Sequence, residues 1–474
     1  MLLTLLLSIY FVTFTDKGND AHLALSDTAI VMRQAHEIPL DSLDYSVSPT
    51  YLDSLRSVGA VVLHTSRWMN GATVRADSAV IRHITDYPFV QSVELTRDNS
   101  VSSIRIQQRK QRWRNETTNY GYAQQQLETY NLLPLHAAGF QGQGIRMAVI
   151  DGGFENADTM EAFDSVRSQI LGHYDFTDDR DGFYGEIGTH GSMCLSVIAG
   201  KCQDFHGAAT AAQYYLMRSE ESDTESPKEM DNWIAAIETA DSLGVHISST
   251  SLGYSIFDNQ DFNLTYQDMD GCSTRASRAA TIAARKGMLV VVAAGNEGDD
   301  VWHYITAPAD ADSILTVGAV ACDSTIAAFS SYGPTYDGRV KPEVCAVGKN
   351  TVLVRPSNGV LVYSNGTSFA CPLLAGMAAC LWSALPDEDA MSIRERIIRS
   401  AHLSKSPDDH YGYGIPNAWN AYTNTFDGIE DIAKEEEESD TTCTKLLIDS
   451  RILILRQGIL YDLQGQVVSS SVLK

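Results

Sequence analysis

Four short segments of the chain carry polar side chains at positions where a folded protein can use them for chemistry. In the first, Asp151 ends an apolar run, residues 147–150, and Gly152 and Gly153 follow it. A carboxylate at the carboxyl end of a parallel strand faces the crevice in which open α/β sheets bind ligands. Nucleotide-binding and phospho-acceptor domains also end strands in aspartate, so Asp151 by itself leaves the chemistry open.

The second segment places His190 between Gly188 and Gly191, at the start of a helical pattern. Histidine is the usual general base because its pKa lies near neutrality. The two glycines let the backbone approach another element closely. A histidine in this position can equally be an ordinary surface or core residue.

The third and fourth segments offer a nucleophile and a hydrogen-bond donor. Ser368 opens a long helix of small residues, where it can be a simple N-cap or a nucleophile favoured by the helix dipole and free N–H groups. Pro372 is expected in the first turn of that helix, where its missing N–H costs little. Asn296 follows the apolar pattern of residues 290–294; it can form a turn or donate a hydrogen bond to an oxyanion.

Asp151, His190 and Ser368 follow one another in the order of the subtilisin triad, and the motifs around them extend the likeness. The motifs are Val149-Ile-Asp151-Gly-Gly, Gly188-Thr-His190-Gly, Ala294-Gly-Asn296-Glu-Gly and Gly366-Thr-Ser368-Phe-Ala-Cys-Pro372. Supporting stretches are Ser251-Leu-Gly253, Ala328-Phe-Ser-Ser-Tyr-Gly333-Pro334 and Lys341-Pro342-Glu-Val344. The chain therefore resembles a subtilisin-like serine peptidase, a subtilase.

The resemblance implies a role for each of these residues in hydrolysing peptide bonds of protein or peptide substrates through an acyl-enzyme. Ser368 would be the nucleophile and His190 the general base, later the acid. Asp151 would orient the imidazole and stabilise its charged form, and Asn296 would help to form the oxyanion hole. The alternative is a catalytically inactive subtilase scaffold that binds peptides or belongs to a surface assembly; the presence of all four residues favours the enzyme.

The resemblance also implies two substrate-binding segments. The strand that pairs with the substrate backbone corresponds to Ser251, Leu252 and Gly253, and the wall of the first specificity pocket to Ala293, Ala294 and Gly295. Because the second set is small, we expect that pocket to admit large apolar side chains rather than to select by charge. Tyr254, next along the chain, is expected to narrow a neighbouring subsite.

Two positions depart from the family pattern, and neither removes a triad group: Phe369 stands where methionine is usual, and Leu373 where histidine often follows the proline. No cofactor is certain and no metal ligand is assigned. Structural calcium, which many relatives bind, stays open. The acidic residues that could hold it, or form a solvated loop instead, are Asp178, Asp179, Asp181 and Glu186.

The elements that position these residues follow from hydrophobic periodicity between residues 130 and 427. Strand patterns cover 146–150, 214–217, 245–249, 288–293 and 314–320, and helical patterns cover 191–199, 230–243, 275–286 and 368–385. This alternation predicts βαβ units, and so an α/β fold with a mainly parallel sheet and helices on both faces. A subtilisin-like catalytic domain over residues 130–427 is the expectation.

Smaller units flank this domain. Residues 9–97 predict a small α+β unit that resembles the ferredoxin-like prodomain of Bacteroidota subtilases, implying that the chain carries its own intramolecular inhibitor. We expect residues 98–129 to be a solvated basic linker, residues 428–442 an acidic linker, and residues 443–474 a β-rich tail. The tail resembles sorting segments of secreted Bacteroidota proteins, and a small stabilising hairpin is the competing interpretation. Residues 1–8 are expected to be the remnant of a signal peptide, although the apolar stretch to Phe14 also reads as a buried strand.

Composition narrows the function classes further. The 474 residues carry a formal net charge of −25 and are 44% hydrophobic, which indicates an acidic globular protein and disfavours nucleic acid as a partner. No transmembrane span is expected, because no apolar run reaches the roughly 18–20 residues needed to cross a bilayer. The apolar N-terminal stretch and the resemblance to secreted Bacteroidota proteins imply a secreted or cell-surface location. The eight cysteines show no zinc-type spacing; most are expected to be free thiols, and Cys194 with Cys202 is the one local pair worth testing as a disulfide.

Overall fold

The computed structural model describes residues 7–98, 120–178, 182–185 and 188–426, and four strands between residues 444 and 469. The chain divides into two compact units, residues 1–426 and residues 427–474. The first unit contains an N-terminal sheet and a larger parallel sheet, which are described in turn.

The N-terminal region is a four-stranded antiparallel sheet with helices. Its elements are β1 (Ser8–Phe14), α1 (Asp27–Ala35), α2 (Pro49–Ser57), β2 (Val61–Ser66), β3 (Gly71–Ala76), α3 (Ser78–Thr85) and β4 (Val90–Arg97). The strand order β2-β3-β1-β4 gives the expected ferredoxin-like arrangement. A small core of its own, which includes Val12, Phe14, Leu55 and Ile84, holds it together.

Strand β1 accounts for most of the apolar N-terminal stretch. It pairs with β3 on one side and β4 on the other, so residues 8–14 form a central strand of the sheet. The buried-strand interpretation therefore holds for these residues. The expected signal remnant falls on residues 1–6, which lie outside the described residues, and on the start of this strand.

The region from residue 120 to residue 426 begins with short elements and continues into the large sheet. The first elements are α4 (Gln124–Glu128), α5 (Leu133–Ala137), β5 (Arg146–Asp151), β6 (Ile170–Asp175), α6 (His190–Ala199), β7 (Lys201–Cys202), β8 (Phe205–His206), β9 (Gln213–Arg218), α7 (Pro227–Ser242) and β10 (Ile247–Thr250). The remainder are α8 (Arg275–Arg285), β11 (Leu289–Ala293), β12 (Leu315–Val320), β13 (Val344–Val347), β14 (Thr351–Val354), β15 (Leu361–Ser364), α9 (Thr367–Ala384), α10 (Ala390–Arg399) and α11 (Ala418–Thr423).

Seven of these strands form one sheet in the order β13-β12-β11-β10-β5-β9-β6, and every neighbouring pair is parallel. In strands β5, β9 and β11, alternate side chains enter two different cores. In β5, Met147 and Val149 pack in the core that contains α6 and α9, whereas Ala148 and Ile150 pack in the core that contains α7 and α8. The predicted parallel sheet with helices on both faces is confirmed.

Residues 120–129 were expected in a solvated linker, and this is wrong for that part of it. Ala123 and Leu127 are fully buried in the large core, and the side chain of Gln126 hydrogen-bonds the backbone of Val352 in both directions. Residues 99–119, which carry the linker's basic cluster, lie outside the described residues, as do residues 428–442.

The expectation that no apolar run reaches membrane-spanning length is also wrong. Among the described residues, the helix Thr367–Ala384 is long and apolar enough by length and composition, and 83% of it is buried inside the fold. It packs against α6 and four strands as the central helix of the larger core.

The described cysteines are all free thiols, so the proposed Cys194–Cys202 disulfide is not formed; Cys443 lies outside the described residues. In the C-terminal unit, four strands form an antiparallel meander, as its strand-rich sequence predicted. They are β16 (Thr444–Ile448), β17 (Arg451–Arg456), β18 (Ile459–Tyr461) and β19 (Val467–Ser469).

Candidate active site

The fold brings the ends of three sheet-linked elements together. Asp151 is the last residue of β5, His190 the first residue of α6, and Ser368 the second residue of α9. Asn296 follows β11, which lies two strands from β5 in the sheet. Carboxyl ends of parallel strands meet at one edge, which is where such sheets place ligand-binding side chains.

Asp151 and His190 form a close pair. The Nδ1 atom of His190 lies 2.7 Å from Oδ1 of Asp151, and the backbone N–H of Gly152 donates to the same oxygen at 2.7 Å. The Asp151 side chain is 2% exposed, whereas that of His190 is 39% exposed. This arrangement lets a buried carboxylate orient an imidazole whose other nitrogen can reach a substrate.

Gly366, in front of α9, has a φ of 153°, a conformation that favours glycine, and it lets the helix begin at Thr367. Ser368 is buried, with its Oγ 3.4 Å from the carbonyl oxygen of Ser251. The imidazole of His190 packs beside Phe369, the next residue of the helix, with ring centroids 5.8 Å apart.

Pro372 lies inside α9 rather than in its first turn, which corrects the sequence-based expectation. Because proline has no N–H, it cannot donate to the carbonyl four residues earlier, which belongs to Ser368. That carbonyl oxygen instead accepts hydrogen bonds from the Ser251 hydroxyl at 2.9 Å and from the Cys194 thiol at 3.3 Å. The proline therefore frees the backbone of Ser368 for contacts with two neighbouring elements.

Asn296 is held in one orientation by the residue before Ser368. Its Oδ1 accepts a hydrogen bond from the backbone N–H of Thr367 at 2.8 Å and lies 3.1 Å from the Thr367 hydroxyl. Because the oxygen is engaged there, the NH₂ group of the same amide is directed away from Thr367 and is available as a donor. Asn296 is itself exposed, so its side chain is accessible from solvent.

The first proposed substrate segment runs alongside Ser368. Ser251 is buried, Leu252 is partly buried and Gly253 is exposed. A Cβ atom on Gly253 would lie 2.1 Å from the Thr306 hydroxyl, so this position is closed to a side chain. Tyr254 is fully buried, and its hydroxyl donates to Glu220 at 2.8 Å. The expectation that Tyr254 narrows a subsite is therefore wrong, because its side chain points into the core.

The second proposed segment ends β11. Ala293 and Ala294 are buried, whereas Gly295 is partly exposed with a φ of 115°. A Cβ atom on Gly295 would lie 2.5 Å from the carboxylate of Glu297, which accepts a hydrogen bond from Ser331 at 2.8 Å. Burial raises the pKa of Glu297. Sequence reasoning did not assign this residue, although it sits within the asparagine motif.

Two groups of side chains among the described residues have donor atoms close enough for a cation: Asp151 with His190 and Cys194, and Glu220 with Glu225 and Glu229. Burial and neighbouring charge raise the pKa of Glu220 to about 8. In the acidic loop for which calcium was left open, Asp178 pairs with Lys228 at 2.9 Å and with Arg75, so this carboxylate is already engaged by cationic side chains. The other members of that loop, Asp179, Asp181 and Glu186, lie outside the described residues.

Comparison with known proteins covers both parts of the first unit. The subtilase family model matches residues 142–414, and the model of the Bacteroidota peptidase S8 propeptide domain matches residues 9–117. Serine protease AprX of Bacillus subtilis is 27% identical over 315 residues, which are 59% of this chain and 66% of that protein. Subtilisin E of Bacillus subtilis is 26% identical over 370 residues, 77% of this chain and 84% of that protein.

The solved structure of MycP1 from Mycobacterium smegmatis superposes with a TM-score of 0.51 at 21% identity, over 67% of this chain and 89% of that one. At this identity the likeness supports the fold alone. The family model, by contrast, spans more than half of the chain and contains all four residues of the candidate site. The chain thus belongs to the subtilase family of serine peptidases, with a Bacteroidota-type propeptide domain ahead of the peptidase domain.

Proposed function

We propose that the chain is an endopeptidase that cleaves proteins through the triad Asp151, His190 and Ser368. The observation that carries the proposal is the 2.7 Å contact between the buried Asp151 carboxylate and Nδ1 of His190, with Ser368 at the start of α9 beside them. Asp151 keeps the imidazole proton on Nδ1, which leaves Nε2 to accept the proton of Ser368. The serine oxygen then attacks the peptide carbonyl and forms an acyl-enzyme that water hydrolyses.

The oxyanion that develops during the attack needs donors that are already in place. The amide of Asn296, fixed by Thr367, supplies one of them. Removing one such donor typically lowers turnover by roughly 10²–10³-fold. We therefore expect Asn296→Ala to lose turnover on that scale while Ser368 still reacts with a fluorophosphonate.

Ser368→Ala tests the proposal most simply. It should abolish fluorophosphonate labelling and reduce peptide hydrolysis by several orders of magnitude, since it removes the nucleophile. Ser392→Ala, on helix α10, is the matched control and should retain both. Undiminished hydrolysis by Ser368→Ala would refute the assignment of Ser368 as the nucleophile. Unchanged turnover by Asn296→Ala would show that Asn296 only forms a turn and does not stabilise the oxyanion.

We propose further that residues 9–97 act as an intramolecular inhibitor, a role supported by how they dock on the peptidase. Arg67 of this region pairs with Asp241 of α7 at 2.6 Å, and Arg33 pairs with the same carboxylate at 2.7 Å. All three side chains are almost fully buried. Trp68 packs into the peptidase core that contains α7 and α8. Buried charge pairs of this kind fix one docked geometry.

The end of the docked region points toward the candidate site. Arg97, the last residue of β4, lies 4.0 Å from the carboxylate of Glu221. Two residues before Glu221, the backbone N–H of Ser219 donates to the carbonyl of Asp151 at 3.1 Å. Strand β4 therefore ends near the chain segment that contacts Asp151, which supports the proposal that the inhibitor occupies the cleft as a product-like segment.

We propose that the precursor is cleaved between the inhibitor and the peptidase, within the stretch from Thr96 to Tyr130 whose composition is that of an exposed linker. Because Ala123 and Leu127 are packed in the peptidase core, we now place the cut between Arg97 and Tyr120. Ser368→Ala should accumulate as an uncleaved precursor, and a 9–97 fragment should inhibit the mature enzyme. Active protein that retains residues 9–97, together with a fragment that fails to inhibit, would show a permanent accessory domain.

We also propose that the protein is exported, in keeping with the Bacteroidota propeptide match, and that residues 443–474 form a sorting segment. Intact-mass measurement on protein from the native culture supernatant tests both points. Loss of the N-terminal region and of the tail is the expected result. Recovery of the intact chain only from the cell interior would contradict export.

A further inference from the structure

The N-terminal region makes a second contact with the peptidase through the chain between β1 and α2. Residues 22–45, which include α1, leave the four-stranded sheet after β1 and return to it before α2. The backbone joins the two ends of this segment, since the N–H of Ala24 donates to the carbonyl of Asp44 at 2.9 Å. A second bond runs from the N–H of Ser46 to the carbonyl of His22 at 2.8 Å. We call residues 22–45, a loop closed by its own backbone, the strap.

The strap contacts the edge of the large sheet that lies opposite the triad. At the end of α7, the carbonyl of Ser242 accepts a hydrogen bond from the backbone N–H of Ser26 at 2.9 Å. The guanidinium of Arg146, the first residue of β5, lies 3.1 Å from the sulfur of Met32 in α1. Asp151 is the last residue of the same strand, roughly 17 Å further along it. The strap therefore binds at the amino ends of the strands, whereas the candidate site lies at their carboxyl ends.

Strap and peptidase exchange buried charges at this edge. Arg33 of the strap pairs with Asp241 of α7 at 2.7 Å. Lys286, the residue that follows α8, pairs with Asp44 of the strap at 2.7 Å. All four side chains are at most 5% exposed. Each partner thus supplies one cation and one anion, and removing either partner of such a buried pair is costly.

The end of α7 is complementary to a basic partner. It carries Glu238 and Asp241, and its last turn has no basic residue of its own. Carboxylates are unfavourable at the carboxyl end of a helix, where the dipole is negative. The guanidinium groups that pair with them, those of Arg33 and Arg67, both come from the N-terminal region. Asp241 is therefore the point where the strap and the loop between β2 and β3, which carries Arg67, both hold the peptidase.

We propose that the strap is a second anchor that keeps residues 9–97 bound after the linker is cut, and that its release sets how fast peptidase activity appears. The inference rests on the proposed role of residues 9–97 as an inhibitor and names the contact that governs their release. Linking two anchors makes the second binding event intramolecular, which raises the affinity by about 10²–10⁴-fold over that of either anchor alone. Because the strap binds at the far edge of the sheet, it holds the inhibitor without filling the cleft.

Release is measured on the Ser368→Ala protein, which does not cut itself, so that the measurement is independent of catalysis. A recognition sequence for a site-specific protease is placed within residues 99–119, and the full chain is immobilised through its C-terminus and nicked at that sequence. The rate at which residues 9–97 leave is then recorded. In Arg33→Met, which keeps most of the apolar stem but removes the charge, they should leave at least about tenfold faster, because hydrogen bonds to charged groups contribute that much.

Two further variants decide whether the strap is responsible. Lys286→Met removes the other cation from the peptidase side and should also accelerate release about tenfold, so it serves as the second test if Arg33→Met fails to fold. Arg56→Met is the matched control, because Arg56 lies on α2, is about half exposed and pairs with Asp53 of the same helix. It should leave the release rate unchanged. Release from Arg33→Met and Lys286→Met at the rate of Arg56→Met would overturn the proposal.

Activity is measured separately, in the protein with Ser368 present. Mass spectrometry records when the linker is cut, and the delay between that cut and the rise of peptide hydrolysis should be at least about tenfold shorter in Arg33→Met than in Arg56→Met. The final rate is the reference, since residues 33 and 56 both leave with the inhibitor. Faster release with an unchanged delay would refute the control of activation by the strap. Strap-dependent release in a protein that never hydrolyses peptides would instead refute the proposed function.

Discussion

Glu238→Ala should weaken inhibition by the N-terminal region more than removal of a single contact would suggest. Glu238 lies on α7 and is buried under the loop that joins β2 to β3. Its carboxylate accepts hydrogen bonds from the Ser66 hydroxyl at 2.5 Å and from the backbone N–H groups of Arg67 and Trp68 at 2.9 and 3.1 Å. The Arg67 guanidinium lies 3.6 Å away.

The magnitude follows from what the substitution leaves behind. Two backbone N–H groups and a hydroxyl lose their acceptor in a buried interface, and each unsatisfied buried group costs about 1–3 kcal/mol. Breaking one partner of a buried charge pair costs about 3–5 kcal/mol in all. Since Arg67 keeps its pair with Asp241, we take the lower end, about 3–4 kcal/mol. At 1.4 kcal/mol per factor of ten, this is roughly a 10²–10³-fold weaker inhibition.

The assay adds the isolated 9–97 fragment to mature enzyme and measures the inhibition constant. Glu238→Gln keeps one acceptor oxygen and should fall between wild type and Glu238→Ala. Glu395→Ala removes an exposed carboxylate from α10 and is the matched control for charge. Equal inhibition of Glu238→Ala and wild type would show that this interface does not hold the inhibitor.

Three further predictions concern the site and its regulation. Thr367→Val removes the hydroxyl beside Asn296 but keeps the backbone donor. The lost hydrogen bond is worth about 1 kcal/mol, so turnover should fall roughly fivefold with little change in KM. An unchanged turnover would show that the Thr367 hydroxyl does not help to position Asn296 in the oxyanion hole. Glu297→Gln should lower the rate of cleavage after lysine, relative to cleavage after leucine, by several-fold. The ratio is measured with pairs of peptides that differ only in that residue. An unchanged ratio would show that Glu297 does not face the first specificity pocket. Burial lowers the pKa of His64, which lies at the docked interface near Lys228 and Asp178 and bonds the carbonyl of Phe176 at 2.8 Å. Because docking depresses this pKa, inhibition by the 9–97 fragment should be complete above about pH 6.5 and should weaken as the pH falls, by at most about tenfold per pH unit from this group. In His64→Gln the part of the pH dependence that His64 causes should disappear. A pH profile of His64→Gln identical to that of wild type would contradict the prediction.

The motif residues could be found in the sequence because chemistry restricts them to few residue types at strand and helix ends. Asp151, His190, Asn296 and Ser368 all lie within one or a few residues of the end of an element that periodicity had predicted. The strongly apolar strands of the sheet centre were predicted for the same reason. The edge strand β6 was missed, because Gly172 and His173 interrupt its apolar pattern.

The sequence could not show which side chains become buried against segments that are distant along the chain. The Gln-rich stretch before Tyr130 has few aliphatic residues, yet Leu127 and Ala123 are enough to seat α4 in the core. Tyr254 follows a substrate-binding segment, but its ring turns inward to a partner, Glu220, that is distant in sequence. The contact of Cys194 with the triad depends in the same way on helices α6 and α9 packing side by side.

The most direct test of the account is the position of the covalent adduct formed with a fluorophosphonate. The reagent is added to purified mature enzyme, and the labelled peptide is mapped by mass spectrometry. The account predicts one adduct, on Ser368, formed in step with loss of peptide hydrolysis and absent from His190→Ala, because the serine then lacks its base. An adduct on another residue, or hydrolysis that continues after Ser368 is fully labelled, would contradict it.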